Sequence, residues 1–426
     1  MNDSFLLKTS GAIKLYNETA KNLPIIDFHN HLSPSDLCSD RYFENMTELW
    51  LSCDPYKHRL MRICGVPERF ITGDSTPQEK FKHFCNIFPL IAGNPVYDWS
   101  KMELYSIFGI NEAPCAENAD RIYAKCNEML KDSAFCSTQI LKRFNIEYQS
   151  PVFSICDDIS ALSDKKIAPS LRGDNLLSPD NELIKQLEAK TGKKISDTAS
   201  FICAVGVMLD KFSAGGCRFA DHALDAEFFD EDEKKQEILI LLAHEYAKRG
   251  WTLLLHLDAK RKTSARLREL AGAAGGYAAV GGSFNISKLC DLLGKIEATG
   301  ALCDTILFPL NLSDQAPLAV MQGSFSQDNV ASKVQLGPAW WWCDHALGIK
   351  NTFEVISSFG ALSQFIGMTT DSRSILSFIR HDYFRRILCG WLDEKNCEWE
   401  LSEASLKKIV ENVCYQNAKN KIERGF

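Results

Sequence analysis

The chain alternates short apolar runs with longer amphipathic ones. The first run, "PIIDFHNHLSP", carries the strand formers Ile25, Ile26 and Phe28 over residues 24–29 and stops on two histidines. Similar runs recur at about 151–156, 166–170, 216–220, 252–257, 305–310, 333–337 and 364–369. Helical periodicity separates most of them, at 181–190, 231–249, 286–299, 314–322 and 351–359. A further apolar run at 202–207 belongs to "DTASFICAVGVMLDKFSAGG", which reads as one amphipathic helix closed by Gly215. The interval 157–165 is short for a crossover, so a stunted connection is expected there. The stretch "LSEASLKKIVENVCYQNAKNKI" predicts one more amphipathic helix.

Between the first and second strands, residues 36–145 predict a folded helical insertion. In "STPQEKFKHFCNIF", Thr76 caps a helix, Pro77 suits its first turn and Glu79 completes a capping box. Phe81, Phe84, Cys85 and Phe88 then fall on one buried stripe.

Continuously apolar strands alternating with helices predict a parallel α/β sheet buried on both faces. Eight such units predict a TIM-type (β/α)8 barrel spanning 1–426 as a single unit, with its active site where the strands end. An open doubly wound sheet is the competing architecture, but no G-x-G-x-x-G follows the first strand.

Composition narrows the partners. The 426 residues are 45% hydrophobic, enough for a large core, and the net charge is −7. Such a chain has no electrostatic reason to prefer nucleic acid or an anionic membrane, and an anionic small substrate needs positive charge gathered in a pocket. No apolar run reaches the roughly 18 residues of a membrane span, and the first residues lack the pattern of a secretory leader. The 16 cysteines form no C-x-x-C pairs, and several, such as Cys203, Cys290 and Cys389, lie in apolar surroundings. Buried free thiols and a cytoplasmic location are expected. Composition leaves a homo-oligomer open.

The polar residues stand where a barrel places chemistry. His29 and His31 share one strand face about 7 Å apart and can bind one metal ion. Ordinary strand-end histidines are the alternative. A carboxylate ligand is available in "FIGMTTDSR": Asp371 follows the last strand, which lies beside the first in a closed barrel. Its alternative is to cap a helix at 372–380. Two residues on, Arg373 can meet an anion or lower a neighbour's pKa. Other strand ends offer Arg218, Asp221 and His222 in "GCRFADHALD", His256 in "LLLHLDAKRK", Arg172 in "KIAPSLRGD", and three tryptophans in "KVQLGPAWWWCDH". Most of that tryptophan mass is expected in the core, with at most one ring facing a ligand. Zinc is the ion expected for two imidazoles and a carboxylate, with manganese and iron left open.

"PIIDFHNHLSPSDL", "DRYFENMTELWL", "GCRFADHALD", "KVQLGPAWWWCD" and "GMTTDSRSILSFIRHDYFRRILC" resemble the uronate (glucuronate) isomerases of the amidohydrolase superfamily, over about residues 20–420. The resemblance implies a metal-dependent (β/α)8 barrel that converts D-glucuronate to D-fructuronate and D-galacturonate to D-tagaturonate. It implies one divalent metal on His29, His31 and Asp371, a catalytic role for Tyr56, Asp371 and Arg373, and substrate contacts from Arg172, Asp221, His256 and Trp341. On this reading Tyr56 shuttles the proton and is made more acidic by Arg373.

Two positions depart from the family pattern. Pro55 stands where a histidine usually precedes the tyrosine, and "SICDDISAL" lacks the usual threonines of the second strand. Two further readings compete: a metal-dependent hydrolase of a lactone or amide, and a non-catalytic sugar-acid-binding relative. The first lacks a clear candidate for the lysine that bridges two metals in such hydrolases. Retention of both histidines, Tyr56, Asp371 and Arg373 speaks against the second.

Overall fold

The structure, a computed structural model, describes residues 4–162, 164–225, 227–230, 233–273 and 275–423. Its centre is a seven-stranded sheet: β1 (Ile25–Asn30), β2 (Ile146–Ser154), β3 (Ser170–Arg172), β4 (Phe219–Leu224), β5 (Thr252–Leu257), β6 (Thr305–Pro309) and β7 (Val334–Leu336), adjacent in that order. Every pairing in it is parallel. All residues of β1, β5 and β6 are buried, as a sheet covered on both faces requires.

The expected strands at 252–257, 305–310 and 333–337 form within a residue of prediction. Others shift. Apolar Cys217 closes the preceding helix by donating its N–H to Phe212 O, so β4 starts at Phe219 instead of 216. Strand β2 starts at Ile146 because Ile146 and Tyr148 pair with Ile25 and Ile26, despite the polar Glu147 between them. The 202–207 run lies inside the helix Thr198–Ala214 with Gly215 at its cap. Between β2 and β3 the described residues hold turns and no helix, matching the short interval.

The eighth expected strand, 364–369, forms no ladder. Leu362–Gln364 makes a 3₁₀ turn, and Gly367 adopts φ 85° where a Cβ would lie 2.1 Å from Val413 O. On one side Ile366 N–H donates to the Gln335 side chain of β7 at 3.0 Å. On the other, Asp371 N–H donates to His29 O at 3.1 Å, and Ser372 O accepts His31 N–H at 2.8 Å. Residues 366–372 therefore bond both edge strands, with a glycine and a side-chain bond where regular pairing was expected.

From Pro34 to Leu141 the described chain forms helices and turns, reached from β1 and leading to β2. Four of these helices start alike: Ser33, Asp54, Thr76 and Asn94 cap helices whose first residue is Pro34, Pro55, Pro77 and Pro95. Each side-chain oxygen satisfies an N–H that the first turn leaves free, and proline needs none. The Thr76–Glu79 capping box forms, and Phe81, Phe84, Cys85 and Phe88 are buried. Phe81 and Phe84 pack on Trp50, with ring centroids 5.6 and 5.2 Å away. The 401–422 stretch is helical from Glu403 to Glu423, through a π-turn at Asn412–Gln416.

All sixteen cysteines are unpaired. Cys389 is buried as expected, whereas Cys203 is exposed and Cys290 half-buried. Both lie beside buried neighbours on helices whose outward face they share. Among the described residues no helix is long and apolar enough to cross a membrane.

Candidate active site

The strand ends open into a cleft. His29, His31, Tyr56, Arg172, Asp221, His256, Trp341, Asp371 and Arg373 all line it. The nine residues that the family resemblance assigns to the site thus line one cleft, although Asp371 and His31 lie at opposite ends of the chain.

His29 near the end of β1 and His31 just beyond it aim their imidazoles at one carboxylate oxygen. Asp371 Oδ1 lies 3.0 Å from His31 Nε2 and 3.4 Å from His29 Nε2. The ligand atoms of the three residues are all within 4.8 Å of one another. Asp371 does not cap a helix. That role falls to Ser374, whose hydroxyl accepts the Leu376 N–H. Asp371 instead sits at φ 47°, a left-handed conformation that aspartate tolerates better than most residues.

Asp27 holds this geometry from below. It is fully buried and takes hydrogen bonds from Asn30 Nδ2, Thr369 Oγ1, Thr370 N and Thr370 Oγ1 at 2.6–2.9 Å. Burial opposes its charge, but His381, Asn30 and Thr370 hold its pKa below the usual carboxylate range.

The donor set fits a divalent metal. Burial pushes His31 down to about 4, so it is neutral at pH 7, as a ligand must be. Asp371 is held well below the ordinary range: the two imidazoles outweigh its burial. His29 turns Nε2 toward Asp371, and its Nδ1 is buried with no hydrogen-bond partner. His29 also belongs to a second convergent group with Asp221 and His256. There Asp221 Oδ1 meets His256 Nδ1 at 2.5 Å. The nearby imidazoles overcome burial and hold Asp221 ionised.

Guanidinium groups supply the positive charge that an anionic substrate needs. Arg172, at the end of β3, is oriented by Asp174, with Nη2 and Nε 3.0 and 3.1 Å from Oδ2. Arg373 follows Asp371, and Arg261 joins them on the cleft wall, paired with Asp225. Other strand-end groups point elsewhere. Arg218 donates to Cys217 O and Ile422 O, and His222 bonds Tyr246 OH behind the sheet at 2.9 Å.

Tyr56 comes from the insertion, on the helix Pro55–Ile63. Asp54 Oδ1 caps that helix by accepting the Tyr56 and Lys57 N–H groups. Buried Lys57 locks it in place through Asp54 at 2.9 Å and Glu103 at 3.3 Å. The neighbours of the tyrosine differ from expectation. Its hydroxyl donates to Asp344 Oδ2 at 3.0 Å, and Arg380, not Arg373, lies over its ring at 4.6 Å. Burial and Asp344 push its pKa well up, so Arg373 does not make it acidic.

Sequence reasoning missed Asp344, Arg380, Arg261 and the anchoring role of Asp27. It also allowed one tryptophan in the site, whereas Trp340 and Trp341 both line the cleft. Trp340 packs edge-on to His256 at 4.6 Å and donates to Phe308 O, so it serves core and site together. "WWWCD" and "SFIRHDYFRR" carried the first two residues, but neither has a spacing that marks chemistry.

The family model for glucuronate isomerase matches residues 1–239 and 229–421. The uronate isomerase of Caldanaerobacter subterraneus is 36% identical over 457 aligned residues, covering 98% of each chain. That of Haemophilus influenzae (strain PittGG) is 35% identical, covering 99% of this chain and 98% of its own. In fold, the chain is similar to the uronate isomerase of Thermotoga maritima, with a TM-score of 0.91 at 24% identity over 99% of both chains. It is also similar to the glucuronate isomerase of Caulobacter crescentus, with a TM-score of 0.90 at 21% identity over 99% of this chain and 97% of that one. With the family model spanning nearly its whole length and relatives above 30% identity end to end, this chain belongs to the uronate (glucuronate) isomerase family of enzymes.

Proposed function

We propose that the protein interconverts D-glucuronate with D-fructuronate, and D-galacturonate with D-tagaturonate, by moving a proton from C2 to C1 through an enediolate. The observation that carries this reading is the convergence of three imidazoles, a tyrosine, three carboxylates and three guanidinium groups on one cleft. The fold is read as one (β/α)8 barrel, residues 366–372 filling the eighth place, with 36–145 inserted into it. The unpaired state of all sixteen cysteines supports a reducing compartment, the cytoplasm.

Each group has a task set by its chemistry. Arg172 and Arg373 bind the substrate carboxylate, where a guanidinium can grip both oxygens and fix orientation. Trp341 offers an apolar face to the sugar carbons. Asp221 holds His256 by its Nδ1, leaving Nε2 for a substrate hydroxyl. Tyr56 takes the C2 proton and delivers it to C1. Asp371 assists the proton shift between the substrate oxygens, and Arg373 offsets the charge that develops there. His29, His31 and Asp371 would hold one divalent ion, zinc by donor type, which when bound supplies electrophilic stabilisation of the enediolate oxygens. No lysine is among the described residues lining the cleft, which weighs against a lysine-bridged two-metal hydrolase.

Two substitutions separate binding from chemistry. His31→Ala is expected to lower bound metal by elemental analysis, and Tyr56→Phe to keep metal and fold while cutting turnover. Normal turnover in Tyr56→Phe removes the shuttle role.

A further inference from the structure

Tyr56 and Asp344 stand between two cavities. Tyr56 lines the cleft, whereas Asp344 lines a second, small cavity that Trp99, Thr369, Arg380 and Tyr383 also border. The hydroxyl that Tyr56 donates to Asp344 Oδ2, at 3.0 Å, connects the two. Because the proton points at the back wall, the lone pairs of the phenol oxygen are left for the cleft. Arg380 completes the cluster, with Nη1 3.4 Å from Asp344 Oδ2 and its guanidinium carbon 4.6 and 4.0 Å from the ring centroids of Tyr56 and Trp99. It is only 4% exposed, and its Nε has no partner. A cation buried this way is costly unless negative charge faces it, and it favours negative charge on the tyrosine.

We infer that Asp344 is a positioning residue of the isomerisation. It orients the Tyr56 hydroxyl, accepts its proton as Tyr56 takes the one from C2, and returns it when Tyr56 delivers to C1. The inference rests on the shuttle role proposed for Tyr56. In the first half the C2–H bond breaks, its electrons form the enediolate double bond, and its proton joins the phenol oxygen. The original phenol proton passes to Asp344. In the second half the phenol proton goes to C1, and Asp344 returns the held proton to Tyr56. The substrate hydroxyl proton moves from O2 to O1, so nothing is gained or lost overall.

The surroundings suit this role. Asp344 does not line the cleft, so it acts through the tyrosine. Tyr56, Arg380, Tyr383, Cys343 and Asp371 are among the ionisable groups around it. Burial pushes its carboxyl up to about 7, against the pull of Arg380 and Tyr56. A group poised there can take and release a proton at neutral pH.

The test compares the metal-loaded wild-type enzyme with Asp344→Asn, Asp344→Glu, Tyr56→Phe and the Tyr56→Phe/Asp344→Asn double variant, on D-glucuronate and its 2-deuterated form. Asp344→Asn is expected to lower kcat about 100-fold, leave KM nearly unchanged and raise the deuterium isotope effect on kcat. Asp344→Glu is expected to recover part of the loss, and the double variant to be no slower than Tyr56→Phe alone. If Asp344→Asn does not fold, Asp344→Ser makes the same comparison. Near-normal kcat in Asp344→Asn alongside a slow Tyr56→Phe overturns the role of Asp344 and leaves that of Tyr56. So does a double variant in which the two losses multiply. Normal turnover in Tyr56→Phe overturns the shuttle and this inference with it.

Discussion

One oxygen of Asp27 accepts the Thr370 N–H at 2.6 Å, and the other accepts the Thr370 hydroxyl at 2.9 Å. This buried carboxylate on β1 ties the start of the chain to the residue before Asp371. The two sides of the imidazole–carboxylate cluster are thereby placed by one side chain. Asp27→Asn keeps the volume but turns an NH₂ group toward these donors. It is expected to cost about 2 kcal/mol of stability and to weaken divalent metal binding about 10-fold or more. Denaturant unfolding and metal titration measure the two effects. Unchanged metal affinity would mean that Asp371 is placed without this anchor.

Gly276 is expected to resist substitution. It adopts φ 80°, and a Cβ there would lie 2.3 Å from the carbonyl oxygen of Pro55. Around it Arg59 donates to Gly276 O and Ala278 O, and Trp342 to Ala278 O, so this loop rests on the helix that carries Tyr56. Gly276→Ala adds backbone strain of about 1–3 kcal/mol and a clash. It is expected to raise KM several-fold by lifting the loop from the cleft. Steady-state kinetics that match wild type would contradict this.

A third prediction concerns pH. Asp258 is fully buried at the end of β5, and its Oδ1 has no hydrogen-bond partner. Burial, with Asp314 nearby, pushes its pKa up to about 7. In the unfolded chain it ionises near about 4. The folded state therefore holds a proton that the unfolded state releases, and this group's contribution to stability declines as pH rises from about 4 to 7. Asp258→Asn removes the effect. The stability of the variant relative to wild type is expected to grow between pH 5 and pH 8, measured by urea unfolding. A difference that does not change with pH would contradict the assignment.

Much of this architecture was legible because burial and chemistry leave periodic traces. Strands such as Thr252–Leu257 are apolar throughout, and His29-x-His31 stands out because it interrupts such a run. Position 371 was legible through topology, since a closing segment must return to the first strand. The same reasoning failed at 364–369, where Gly367 and the Gln335 side chain replace ladder bonds and no apolar pattern records the change. Asp344 and Arg380 were hidden for another reason. They meet Tyr56 across the insertion, and contacts between distant segments leave no local spacing to read. Pro55 departs from the family pattern in sequence. In the fold it is the first residue of a capped helix and the floor beneath Gly276.

The most direct test of the central claim is ketose formation from D-glucuronate and D-galacturonate by the full-length, metal-replete protein. The account predicts that both uronates are isomerised, with a proton appearing at C1 of the product. Protein that is folded and metal-loaded yet forms no ketose from either would contradict it.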